Sequence, residues 1–322
     1  MKDIKIFVSN RININSVQIN NPLYIFVRCG AVFDTCKKIK MQGDNTGDNI
    51  SERRNSFCEF TVQYWAWKNV DADYYGLCHY RRFLTFVNKK YKADVHGHII
   101  EYFLNKSSME KYGLINKQNM QKIIEDNDII VNKAVNVLNI PTPQGKQKTV
   151  YGHWMGHDGL FLDKRVLPLL LQQINDKFPQ YMDSAQQYLR GEWHRGYNCY
   201  VMKKEFFNEM CNFQFTILFD LENQLKNTEY VKKYERTLGY LGEIMYGIYV
   251  QYLYGQNKYK IYETQLVYFE ETEEPKNVFQ KYFKEALFIL KFKCENIGFY
   301  VLPKASKRRN FIKKIYFKLI GR

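Results

Sequence analysis

Three polar clusters and two acidic triplets are the places where this chain of 322 residues could do chemistry. The first cluster is His79-Tyr80-Arg81-Arg82, directly after the apolar run YYGLC. An imidazole and two guanidiniums there suit a diphosphate, because the planar fork of an arginine matches phosphate oxygens. The plain alternative is a solvated strand end with a core-facing tyrosine. The second, Tyr151-Gly152-His153-Trp154-Met155-Gly156-His157-Asp158, sets two histidines four apart. The zinc-protease motif shares that spacing but needs a glutamate after the first histidine, and Trp154 stands there. His153, His157 and Asp158 keep acid/base potential, with Asp158 a candidate base; a loop with satisfied histidines is the competing reading. The third, Gly191-Glu192-Trp193-His194-Arg195-Gly196-Tyr197-Asn198, offers Glu192 as a further carboxylate and Trp193 as a flat face for a sugar ring. A cap or turn before a strand explains the same residues.

The triplets Asp71-Ala72-Asp73 and Asp126-Asn127-Asp128 hold the paired carboxylates that a hard divalent cation prefers. Both precede a strand instead of following one. They read as turn residues, and no magnesium or manganese site is evident.

The elements that must position these groups are legible in the hydrophobic pattern. Short runs rich in branched and aromatic residues predict strands at 4–8, 23–27, 74–80, 128–131, 197–202 and 261–269. A helix is expected at 54–69, with Phe57, Phe60, Tyr64 and Trp67 on one face, after a polar loop at 43–51. Further helices are expected near 116–126, 163–190 (broken at Pro179), 203–226 and 237–254. Strands alternating with helices make an α/β protein with a largely parallel sheet. Ligands of such sheets bind outside the carboxyl ends of the strands, which favours the cluster at 79–82.

Bulk composition excludes several classes. A chain of this length with 45% hydrophobic residues builds a real core, so it is neither a disulfide-stapled miniprotein nor a disordered tail. Its seven cysteines are odd in number and never form a C-x-x-C pair, which fits a reducing compartment. The sequence enters an apolar strand at once and holds no run of about 18 apolar residues, so neither a signal peptide nor a spanning helix is expected. The net charge is +15, and residues 276–322 carry thirteen Lys or Arg against two acids. Within SKRRNFIKKIYFKLIGR the apolar residues at 311, 312, 315, 316, 319 and 320 fall on one helical stripe among lysines. A cationic amphipathic helix at 305–322 suits an anionic membrane surface, and packing on its own domain is the alternative.

Four segments occur in a recognisable order: Gly47-Asp48-Asn49-Ile50-Ser51, Asn55-Ser56-Phe57-Cys58-Glu59, Tyr64-Trp65-Ala66-Trp67-Lys68-Asn69 and Tyr75-Gly76-Leu77-Cys78-His79-Tyr80-Arg81-Arg82. With the His153–Asp158 cluster, Tyr197-Asn198, Met202-Lys203-Lys204-Glu205 and Gly239-Tyr240-Leu241-Gly242-Glu243, this series covers about residues 3–270. It resembles a family of bacterial capsular and exopolysaccharide biosynthesis proteins, long catalogued as a domain of unknown function and regarded as glycosyltransferases. The resemblance implies a GT-A-like, Rossmann-type nucleotide-sugar-binding domain with a mixed central sheet over 1–270, followed by a basic C-terminal helical extension, 271–322. It further implies transfer of one sugar from a UDP-sugar, with galactose in either ring form as the guessed donor. The acceptor would be a lipid-linked oligosaccharide at the cytoplasmic face of the inner membrane. On this reading Arg81 and Arg82 sit near the diphosphate, and Asp48 and Asn49 hold the nucleotide or donor sugar. His79, His153, His157 and Asn198 join the donor-binding set, and Asp158 or Glu192 deprotonates the acceptor hydroxyl if the anomeric centre inverts. GT-A enzymes usually carry Asp-x-Asp just after a strand, where this chain has His-Tyr-Arg, so dependence on manganese or magnesium is left open.

Two other classes compete. A nucleic-acid-binding protein could use the cationic tail and tyrosine faces. No known nucleic-acid motif is present, however, and the first 275 residues are nearly neutral, so no nucleic-acid partner is expected. A membrane-peripheral scaffold without chemistry is the third reading.

Overall fold

The computed structural model describes residues 2–11, 15–35, 41–229, 235–273, 279, 282–286, 288–290 and 306–312. A single sheet forms the centre. Its main path runs β13 (Ile261–Thr264), β7 (Ile129–Asn132), β12 (Tyr200–Lys203), β4 (Tyr74–His79), β1 (Ile4–Asn10), β2 (Tyr24–Arg28) and β3 (Gln42–Gly43). A branch carries β14 (Leu266–Glu271) against β5 (Arg82–Leu84) and β6 (His98–Phe103). Two small ribbons lie off the sheet: β8 (Val135–Asn136) with β11 (Trp193–His194), and β9 (Pro141–Thr142) with β10 (Gly145–Lys146).

β1 is flanked by β2 and β4, both parallel to it, and its interior residues are buried, as a near-continuous apolar run demands. The sheet is mixed because β12 runs antiparallel to both β4 and β7. The largely parallel arrangement expected from element alternation is corrected at that strand and at β5, which runs antiparallel to β4 and β14. The stretch 261–269, which reads as one strand, is two: Gln265 interrupts it, β13 stays in the main sheet and β14 leaves to join β5 and β6.

One face of the sheet carries α2 (Phe60–Asn69), α6 (Val166–Lys177), α7 (Met182–Arg190), α8 (Lys204–Leu225) and α9 (Thr237–Gly255) in the larger apolar cluster. The other packs on α3 (Lys106–Lys111) and α4 (Lys117–Glu125). Stacked rings join the layers, Tyr75 of β4 on Phe207 of α8 at 4.4 Å and Trp67 of α2 on Phe215 of α8 at 5.8 Å. Gly242 lets α9 approach closely, since a Cβ there would lie 2.4 Å from the Phe60 ring. The helix expected at 54–69 breaks into α1 (Arg54–Phe57) and α2 because Cys58 takes a positive φ of 54°. Pro179 breaks the 163–190 segment as expected, in a short 3-10 turn between α6 and α7.

The connection from β2 to α2 is organised by one carboxylate. Asp44 is fully buried and accepts from Gly30 N (2.8 Å), Ala31 N (2.9 Å), Ser51 Oγ (2.5 Å) and Thr61 Oγ1 (2.6 Å). Gly30, at φ 71°, makes the turn that aims two amides at it. Of the cationic segment expected at the membrane, 313–322 lies outside the described residues; residues 307–312 are helical. Among the described residues no helix is long and apolar enough to cross a membrane. Asp44→Asn sets an NH2 group against two of the four donors in the interior, so it should cost about 3 kcal/mol. The urea midpoint would fall at constant m, and an unchanged midpoint would show the carboxylate to be dispensable.

Candidate active site

The carboxyl ends of β1, β2, β4 and β7 form one rim, with Asn10, Arg28, His79 and Asn132 as their last residues. Because β12 is antiparallel, it begins on this same rim, so Tyr197 and Asn198 arrive beside the end of β4. A cluster that precedes a strand in sequence is thereby brought to the ligand-binding edge. Both residues are left-handed, Tyr197 at φ 73° and Asn198 at φ 46°. For a bulky residue that conformation is strained, and such strain gathers at functional sites.

Four arginines converge here. Arg82 lies over the rings of Tyr197 (4.9 Å) and Tyr268 (5.3 Å), and Arg81 Nη1 donates to Tyr268 Oη at 3.3 Å. Arg236, just before α9, donates from Nε to Cys58 Sγ at 3.1 Å, and Arg11 Nη1 reaches the same sulfur at 3.8 Å. Among the described residues none of the four forms an ion pair with a carboxylate. Arg82 Nε, Arg81 Nε, His79 Nδ1 and Asn198 Oδ1 are buried without a hydrogen-bond partner. Burial, reinforced by Arg82, Arg81 and Arg236, drives the His79 pKa well below 6.5, so this imidazole is neutral. The two guanidinium Nε donors, unpaired among the described residues, are groups that could hold an anion.

Two carboxylates border the arginines. Glu59, at the start of α2, accepts from Asn198 Nδ2 at 3.0 Å. Glu243 projects from α9 to within 3.8 Å of His194 Nε2, and a Cβ on Gly196 would sit 2.5 Å from its Oε1. Behind Glu243 three imidazoles cluster. His153 lies 4.6 Å from His157 and 5.8 Å from His194, ring centre to centre. His157 Nδ1 bonds the His153 carbonyl (2.8 Å), and His194 Nδ1 bonds Tyr188 Oη (2.8 Å). Burial pulls the His153 pKa down to about 2, with His157 and His194 adding to it, and burial lowers that of His157. Tyr240 joins the two halves, 5.4 Å from the Arg236 guanidinium and 5.8 Å from Trp154.

The structure thus brings together His79, Arg81, Arg82 and Asn198 of the residues singled out from sequence, with His153 and His157 one layer behind. It does not bring the others to the rim. Asp48 accepts from Tyr64 Oη at 3.1 Å and is tied through its main chain to Asn69, at the far end of α2 and about 15 Å of helix from Glu59. Asn49 is spent on its own turn, bonding Gly47 O and Ser51 N. Asp158 accepts from Lys164 N at 3.0 Å and closes the loop after α5 (Val150–Met155). Glu192 sits at the foot of the β8/β11 ribbon, its carbonyl accepting from Val137 N. Sequence reasoning missed Arg11, Glu59, Arg236 and Glu243. For the last a signal existed: it is the only charged residue in the nineteen of α9.

The acidic triplets lie at the opposite edge of the sheet and are occupied there. Asp71 pairs with Lys204 (2.5 Å), Asp73 accepts from Asp3 N (2.8 Å), and Asp128 pairs with Lys203 (2.5 Å). Among the described residues no group of three or more His, Cys, Asp or Glu is arranged to hold a metal ion.

No curated protein sequence matches the chain. The apo structure of the bifunctional glycosyltransferase WbbM superposes with a TM-score of 0.75 at 26% identity, over 84% of this chain and 46% of that one. The chain therefore spans about half the length of that protein, and the mixed α/β architecture is GT-A-like. Residues 5–257 match the model of DUF4422, described as a domain of unknown function, and the chain belongs to that family.

Proposed function

We propose that this chain is a glycosyltransferase that moves one sugar from a nucleoside-diphosphate sugar to a sugar acceptor. The gathering of Arg11, Arg81, Arg82 and Arg236 at the carboxyl rim carries this reading, since among the described residues none of them forms an ion pair with a carboxylate. The likeness to WbbM, itself a glycosyltransferase, supports it. In the reaction an acceptor hydroxyl attacks the anomeric carbon, the bond from that carbon to the diphosphate oxygen breaks, and the oxygen leaves with the electron pair. Guanidiniums at the rim meet the charge that grows on that oxygen. Glu243 takes the hydroxyl proton in an inverting transfer, in preference to Glu192 and to Asp158, whose carboxylate accepts from Lys164 N. Both Asp-x-Asp triplets are paired with lysines or main-chain amides on the other edge, so arginine supplies the positive charge that a divalent ion would otherwise contribute.

The finer reading is a UDP-sugar donor, with galactose in pyranose or furanose form, and a lipid-linked oligosaccharide acceptor in capsular or exopolysaccharide assembly. The protein would work at the inner face of the cell membrane. The C-terminal extension favours that location: Phe279 is 80% and Phe311 65% exposed, in a segment with thirteen Lys or Arg against two acids.

Calorimetric titration with UDP in the presence of EDTA tests the core of the proposal. Wild type should bind, and Arg82→Ala and Arg236→Ala should each bind roughly 10- to 100-fold more weakly, the loss of one charge-assisted hydrogen bond. Undiminished affinity in both variants would take the diphosphate away from this rim. Glu243→Gln should keep UDP affinity and lose about 10²- to 10⁴-fold in transfer rate, measured as UDP release in the presence of acceptor. Full activity in that variant would clear Glu243 of a role as base. Anionic vesicles should pellet the full chain and leave a chain lacking residues 305–322 in solution; equal pelleting would end the membrane proposal.

A further inference from the structure

Beyond Tyr197 the chain builds a second concavity that donor chemistry does not use. The Tyr197 ring lies 4.4 Å from that of His98, whose Nδ1 is 4.0 Å from Asp94. Asp94, Lys133, Asn136 and Trp193 line a cleft of about 450 Å³. That volume lies in the usual range for small-molecule sites. Trp193 is the feature that needs explaining, because its indole is 56% exposed while Trp65 and Trp154 are buried. It is not loosely held: the β8/β11 ribbon pairs Trp193 with Asn136 and His194 with Val135. Gly97, at φ 80°, lets the 93–97 turn close against the ribbon, where a Cβ would come 2.6 Å from Val135.

Neighbouring residues of a strand point to opposite sides. Trp193 therefore faces the cleft while His194 turns inward, 3.8 Å from the Glu243 carboxylate. One short ribbon links the exposed indole to the base. An aromatic face with polar groups around it matches the two aspects of a sugar ring, whose C–H face is apolar and whose rim is all hydroxyl. We propose that this cleft is the acceptor subsite. It takes a hexose ring of an oligosaccharide, flat on Trp193 with Asp94, Lys133 and Asn136 at its hydroxyls, one sugar along from the ring whose hydroxyl meets Glu243. The assignment rests on the transferase reading for its role, but not for its binding.

Saturation-transfer NMR on the full chain with methyl β-galactopyranoside, lactose, cellobiose and maltose tests it, alongside calorimetry with UDP. At least one of these sugars should receive saturation on its ring protons. Trp193→Ala, a change at an exposed position, should weaken that sugar roughly tenfold or more, as expected for loss of one ring-stacking contact. Trp193→Phe should restore most of the binding, and both variants should bind UDP as wild type does. The subsite is overturned if wild type binds none of the four sugars, or if Trp193→Ala binds them equally well. UDP binding without sugar binding removes the subsite and leaves the donor site standing. Sugar binding through Trp193 in a chain that does not bind UDP keeps the subsite and removes the transferase reading.

Discussion

A single buried anion with four donors around it sets the rest of this molecule. The Asp44 carboxylate ties the turn after β2, the loop after β3 and the second residue of α2 to one point in the interior. An unpaired carboxylate there would be prohibitively desolvated, so the four donors and the charge require one another. Their agreement fixes where α2 begins. From that beginning follow the left-handed Cys58 that receives Arg236 and Arg11, and the Glu59 carboxylate that holds Asn198. The arginine rim is thus anchored indirectly by a group that never touches it.

Charge is sorted across the sheet. At the amino edge, acids of the two triplets meet Lys203, Lys204 and main-chain amides, and their fields largely cancel. At the carboxyl edge, guanidiniums rest on tyrosine rings and a thiol, which keep them in place without neutralising them. Of the two edges of the sheet, the carboxyl one therefore keeps unpaired positive charge among the described residues, inside a region of reduced dielectric that strengthens its effect. The nearby histidines do not add to it. His79 is held neutral by burial and by Arg82, Arg81 and Arg236, and His153 by burial and the neighbouring imidazoles.

Much of the framework was legible because it depends on local patterning. β1, β2, β4 and β7 are apolar runs, the long helices α8 and α9 end within a residue or so of the expected limits, and Pro179 breaks its segment as proline must. The rule that ligands collect at carboxyl ends drew attention to His79, Arg81 and Arg82, which the structure places on one rim, and away from the triplets, which lie at the other edge. What could not be read was direction and long-range company. Nothing in 197–202 says that β12 runs backwards, so Asn198 looked misplaced for a site it joins. Glu59 and Arg236 sit at helix ends, where charged residues are ordinary and need no special explanation. Asp158 and Glu192 had suitable chemistry in suitable neighbourhoods, but a backbone amide from Lys164 and a ribbon fixed their positions, and neither constraint has a sequence signature.

The fork of the sheet at Gln265 has a consequence of another kind. Its side-chain amide clasps both main-chain atoms of Tyr91, accepting from N at 2.8 Å and donating to O at 2.7 Å, while its own carbonyl takes Thr85 N. The excursion between β5 and β6 is stapled at its base, independently of whatever its tip contains. Substitutions at the tip of this excursion therefore leave the clasp on Tyr91, and with it the strand that carries Arg82, in place. Such an arrangement gives evolution a place to retune what the protein selects while the machinery beneath it stays unaltered.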